Sequence, residues 1–138
     1  MKKLYTTTAI ATGDGRNGRV ETTDGLLAAD VRTPAELGGA GGATNPEQLF
    51  AAGYAACFHS ALKLVAAPLG LDTTDSEVVA DVSLGMLSTG GFGLSAAIEV
   101  SLPSLDEPTA RDLVDRAHQV CPFSNATRGN IEVELNVA

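Results

Sequence analysis

The chain has no tryptophan, two tyrosines and four phenylalanines, so it is short of the flat side chains on which nucleic-acid bases stack. Positive charge is scarce as well. Nine Lys and Arg stand against 17 Asp and Glu, a formal net charge of −8. That is the opposite of the basic footprint selected by phosphate backbones and anionic lipid surfaces, so neither nucleic acid nor membrane is an expected partner. After Met1-Lys2-Lys3 the chain runs into Leu4-Tyr5-Thr6-Thr7-Thr8 instead of the apolar stretch of a signal peptide. No run is expected to reach the ~20 apolar residues of a membrane span. Long biased tracts and internal repeats are absent too. With 44% hydrophobic and 19% charged residues over 138 positions, the composition suits one globular domain, residues 1–138, in the cytoplasm. A core of that size is modest, and a second copy of the chain is a natural way to enlarge it.

Cysteine is nearly absent: only Cys57 and Cys121 are present. Cytoplasmic thiols are normally kept reduced, and the disulfides that do form there are often transient and catalytic. The alternative is two buried thiols acting as small hydrophobes, and on the count alone the two readings balance.

Residues 3–12 read as a strand. The Asn17-Gly18 pair predicts a hairpin turn, with Arg19–Thr23 returning. Asp24-Gly25 marks another turn and Leu26–Arg32 a third strand, which makes a three-stranded meander. Thr44 and Glu47 have capping-box spacing and Pro46 suits a first helical turn, so a helix is predicted from Pro46 to about Ala67, stopped by Pro68 and Gly70. It is built from small residues between Ala51 and Ala61, which points to a central helix approached closely from several sides. Val78–Leu87 and Phe92–Leu102 read as strands, and Asp106–Val120 as a second helix. Ile131–Val137 alternates as a half-buried edge or antiparallel strand. The order β-β-β-α-β-β-α-β argues for an α+β domain built on antiparallel sheets around a long central helix.

Cys57 falls in mid-helix, where the macrodipole offers little help to a thiolate. Another group must supply positive charge if it is to ionise near neutral pH. His59, two residues on, points to a different side of a regular helix and is more simply a packing residue. Cys57 and His59 cannot chelate a metal readily from one helix, so neither metal nor cofactor is expected.

The segment Gly42-Ala43-Thr44-Asn45-Pro46-Glu47-Gln48-Leu49-Phe50-Ala51-Ala52-Gly53-Tyr54-Ala55-Ala56-Cys57-Phe58 closely resembles the motif around the reactive cysteine of organic hydroperoxide resistance proteins, the Ohr branch of the OsmC/Ohr superfamily. Val120-Cys121-Pro122-Phe123-Ser124-Asn125-Ala126-Thr127-Arg128-Gly129-Asn130-Ile131 looks like the segment that carries that branch's resolving cysteine. Gly15-Arg16-Asn17-Gly18-Arg19-Val20 is similar to the segment holding the family's active-site arginine. The resemblance spans essentially the whole chain and implies an intertwined homodimer. It also implies a peroxidase in which Cys57 attacks an alkyl or fatty-acid hydroperoxide and Cys121 condenses the resulting sulfenic acid to a disulfide. Arg16 would lower the Cys57 pKa, Glu47 would hold Arg16, and a lipoyl-type dithiol would be the reductant. Read on their own, Glu47 is equally a helix N-terminal carboxylate, and Arg16 and Arg19 are hard to separate as near neighbours of one turn. Ten residues separate Glu47 from Cys57, about 15 Å along a straight helix, so an arginine between them could serve both. Two rival readings are a non-enzymatic thiol redox sensor and a thioesterase of the hot-dog type, where a long helix is also wrapped by sheet.

Overall fold

The computed structural model describes all 138 residues as two compact units, Met1–Leu49 and Phe50–Ala138. The first unit is a meander of β1 (Ala9–Asp14), β2 (Asn17–Thr22) and β3 (Ala28–Asp30), each antiparallel to the next. β1 starts later than expected, and residues 1–8 form no strand. The turn also differs. Asp14 pairs with Asn17, so the two-residue loop is Gly15-Arg16 and not Asn17-Gly18. Gly15 supplies the positive φ, 60°, which a side-chain-bearing residue resists. Gly18 serves the strands instead of the turn. It lies opposite Gly13, where an added Cβ would fall 2.1 Å from the Thr12 carbonyl oxygen. Its lack of a side chain lets the strands close, and the turn moves to the neighbouring glycine.

This unit leaves much apolar surface uncovered. Every residue of β1 is exposed, and Leu4, Tyr5, Ile10 and Leu26 are all more than half accessible. Val31 is its one buried hydrophobic, and it bridges in parallel to Thr44 just before the long helix.

α1 (Pro46–Ala66) begins at the end of the first unit and continues into the second. Asn45 is the residue that caps it, its Oδ1 accepting from the Gln48 N–H at 2.9 Å. Thr44 does not form the expected capping box; it bonds the Gln48 side chain, and the Glu47 carboxylate is engaged elsewhere. A short 3-10 turn at Ala67–Leu69 ends the helix at Gly70, in the left-handed conformation. By length and composition alone the 24 residues Pro46–Leu69 reach membrane-spanning hydropathy, contrary to the sequence expectation. Their apolar residues are used differently here. Tyr54, Phe58, Ala61, Leu62 and Ala66 recur at helical spacing on one buried face, while Ala52, Ala56 and Leu64 stay exposed. Within this chain α1 is thus covered on one side only, not from several.

In the second unit β4 (Glu77–Met86) and β5 (Phe92–Ser101) form a full-length antiparallel hairpin, with Glu77 opposite Ser101 and Met86 opposite Phe92. α2 (Glu107–Val120) is followed at once by α3 (Pro122–Thr127), a short helix that periodicity does not announce. β6 (Val133–Val137) then pairs with β5, but in parallel, which corrects the antiparallel expectation. The reason is topological. α2 and α3 form the crossover that a parallel pair requires, and a half-buried strand alternates identically in either direction. The core joins the buried face of α1 to Ile98 and Val100 of β5, Leu113, Val114 and Ala117 of α2, and Cys121.

Candidate active site

Cys57 lies on α1 among alanines, half-buried. Cys121 is the single residue between α2 and α3; it ends one helix, caps the next and is wholly buried. Their sulfurs are 3.7 Å apart and unbonded. Sixty-four positions of sequence thus close to a van der Waals contact, which only has to shorten to about 2.0 Å to become a disulfide.

Each sulfur meets a backbone donor. The Ser124 N–H points at Cys121 Sγ at 3.5 Å. The Phe123 N–H draws the Cys57 thiol toward ionisation, but burial is the larger influence and pushes its pKa up, with the Cys121 thiol adding to the rise. Nothing on α1 to α3 supplies the positive charge that would reverse this.

Three aromatic rings belong to the same core cluster as the cysteines. Phe50, Tyr54 and Phe123 meet with centroids 5.8 to 6.0 Å apart. The Phe123 ring sits directly on Gly53, where an added Cβ would come within 3.2 Å of two ring carbons. This is where the small residues of α1 matter: a bare backbone lets the segment after Cys121 lie against the helix. The buried Tyr54 hydroxyl reaches Ser124 Oγ at 2.9 Å and Thr127 Oγ1 at 3.1 Å. Tyr54, Ser124 and Thr127 lie within the two cysteine motifs, but no periodicity or spacing sets them apart there. The one available signal was Cys121-Pro122, a capping side chain followed by proline at a first helical position.

The first unit brings together the other predicted pair. Arg16, at the turn between β1 and β2, donates through Nη1 to Glu47 Oε2 at 2.8 Å and through Nη2 to Oε1 at 2.6 Å. This two-point pairing holds the Glu47 carboxyl below the usual carboxylate range and raises the guanidinium further. Arg19, which sequence could not separate from Arg16, instead bonds Asp30 at 3.2 Å on the exposed sheet. The remaining candidates have structural partners. His59 Nε2 meets Ser76 Oγ at 2.9 Å, and Arg128 donates to the His118 carbonyl at 2.8 Å and to Asn125. No three His, Cys, Asp or Glu side chains converge in a way that would hold a metal ion.

Known proteins with this architecture settle its class. The family model for OsmC-like protein matches residues 39–136. Over 139 aligned residues the chain is 55% identical to the organic hydroperoxide resistance protein of Xanthomonas axonopodis pv. citri, covering 99% of this chain and 96% of that one. A crystal structure of such a protein from Legionella pneumophila superposes with a TM-score of 0.95 at 54% identity, covering 99% of each chain. OhrB of Bacillus subtilis gives 0.89 at 44% identity, over 99% and 100%. The chain belongs to the organic hydroperoxide resistance branch of the OsmC/Ohr superfamily.

Proposed function

We propose that the chain is a thiol peroxidase that reduces organic hydroperoxides to alcohols. The observation that carries this reading is the unbonded sulfur pair at 3.7 Å, one half-buried and one fully buried, in a chain of this family. The Cys57 thiolate attacks the hydroperoxide O–O bond. An S–O bond forms, the O–O bond breaks, and the departing alkoxide takes a proton to leave as alcohol. Cys57 is then a sulfenic acid. The Cys121 thiolate attacks that sulfur, an S–S bond forms, and hydroxide departs as water after protonation. A dithiol of the lipoyl type restores both thiols by two exchanges and leaves as its own cyclic disulfide. The chemistry sums to one hydroperoxide and one dithiol consumed, with one alcohol, one water and one disulfide formed. Cys57 is the sulfur a dithiol can reach, since Cys121 has no exposed surface.

Arg16 is the cation we assign to Cys57, with Glu47 as its holder. Two facts support this: burial and then the neighbouring Cys121 thiol push the Cys57 pKa up, and the Arg16 fork is already oriented by the carboxylate at the start of the same helix. A homodimer is the active form. The open faces of β1 and α1 and the connection between β2 and β3, with Ile10, Leu64 and Leu26 accessible, supply apolar surface for a second copy. The two compact units work as one domain, a reading supported by the family match that runs across their boundary. We place the protein in the cytoplasm, where two reduced thiols are the resting state.

The test is one equivalent of an alkyl hydroperoxide added to reduced protein, followed by peptide mass spectrometry and by turnover with dihydrolipoamide. A Cys57–Cys121 link with multiple turnovers is expected. A link that forms without turnover would leave a redox sensor instead.

A further inference from the structure

The peroxidase chemistry assigns no role to the buried hydroxyls of Tyr54, Ser124 and Thr127. Tyr54, Ser124 and Thr127 are at most 5% exposed, and their oxygens form a chain. Thr127 Oγ1 donates to the Ser124 carbonyl at 3.2 Å. With that proton committed, Tyr54 must donate to Thr127 Oγ1, and Ser124 Oγ must in turn donate to the Tyr54 oxygen. Every hydroxyl donates once, with no direct exposure to water, so the set has one consistent arrangement.

Its position is specific. Tyr54 lies one turn before Cys57 on the same face of α1. Ser124 lies in the first turn of α3, and its N–H is the group held against Cys121 Sγ. The Tyr54 hydroxyl therefore ties the helix of one cysteine to the short helix that begins at the other. α3 has only six residues and cannot hold its own place by helix propensity.

We propose that Tyr54, through Ser124 and Thr127, is a positioning residue for resolution: it keeps Cys121 beside Cys57 so that the sulfenic acid is closed to a disulfide before a second peroxide oxidises it to sulfinic acid. This rests on the peroxidase reading, and it goes further by dividing the two steps. The hydroxyl touches neither sulfur, so loss of the first step is not expected; loss of the second is.

The test uses Tyr54→Phe, which keeps the ring among Phe50 and Phe123 and removes only the hydroxyl. Thr127→Val removes a second member and Thr127→Ser restores it. Reduced proteins are mixed with graded cumene hydroperoxide well below their melting temperatures. The first equivalent should disappear at the wild-type rate, while half-conversion to sulfinic acid should need about tenfold less peroxide in Tyr54→Phe and Thr127→Val. Tenfold corresponds to roughly 1.4 kcal/mol, the scale of one hydrogen bond. Thr127→Ser should behave as wild type. In parallel, equilibration with a glutathione redox buffer measures the effective concentration of Cys121 at Cys57, which should fall by a similar factor. Unchanged partition and unchanged glutathione equilibrium in Tyr54→Phe overturn the proposal. If the wild type consumes no peroxide, the peroxidase reading fails, and the glutathione equilibrium alone still decides the positioning role.

Discussion

The two units place their reactive groups in opposite surroundings. In Phe50–Ala138 the cysteines sit in a core shared by α1, β5, α2 and α3, which also holds packed aromatic rings and a closed hydroxyl set. In Met1–Leu49 the Arg16–Glu47 pair links the β1–β2 turn to the first turn of α1, in a unit with one buried hydrophobic residue. The first arrangement is defined by packing, which is insensitive to salt and pH. The second is defined by charge and two hydrogen bonds, and it fails when either partner changes protonation. The sulfur contact and the proposed thiol activation by Arg16 thus rest on different forces and can be broken separately.

The largest effect should come from the sulfurs. Cys57→Ser should abolish peroxide consumption, and Cys121→Ser should consume about one equivalent and then stall or overoxidise, as stoichiometric titration will show. Equal loss of the first equivalent in both variants would reverse the comparison.

Packing is tested next. Phe58→Ala, at a wholly buried position of α1, should cost about 3–5 kcal/mol in denaturant unfolding. Ile10→Ser, on the exposed β1, should cost within about 0.5 kcal/mol if the chain stands alone. A much greater loss that depends on protein concentration would show that a second copy covers that face.

Arg16→Ala should raise the Cys57 pKa and slow the first step about tenfold near neutral pH, with recovery in alkali, as followed by thiolate absorbance. Because the Glu47 pKa is depressed by Arg16, the pair contributes above the unfolded carboxyl value near ~4.3 and is lost as pH falls through its lower folded value. Acid unfolding should therefore flatten in Glu47→Gln.

His118 should give the smallest effect. Its Nδ1 is buried without a partner, and burial and Arg128 keep the ring's pKa below the usual value. The neutral ring is favoured on folding, so stability should decline as pH falls below about 6.5. His118→Gln should flatten that slope in melting curves.

The extent to which these features were legible follows from their physics. α1 was readable at both ends because proline and glycine punctuate it, and β4 and β5 because a hairpin of ten-residue strands alternates cleanly. The β1–β2 turn was not, since two glycine dipeptides compete and the choice depends on the close approach of Gly13 and Gly18 across the strands. The direction of β6 leaves no mark in its own residues. Cys57 and Cys121 stood out by rarity, and Arg16 by resemblance alone until Glu47 was seen to claim it in place of Arg19. Tyr54 looked like any core aromatic, because a hydroxyl's partners depend on which segments fold beside it.

The contact between α1 and the α2–α3 junction also sets a thermodynamic cycle. A bond between sulfurs 64 residues apart removes chain entropy from the unfolded ensemble, worth about 4 kcal/mol for a loop of this length. The oxidised protein would then outlast the reduced one against heat and denaturant. Read in the other direction around the cycle, folding makes the disulfide harder to reduce by the same amount. A substitution far from either cysteine lowers the stability of both redox forms alike and should leave that difference unchanged, whereas one that loosens the folded contact between α1 and α3 should make the disulfide easier to reduce.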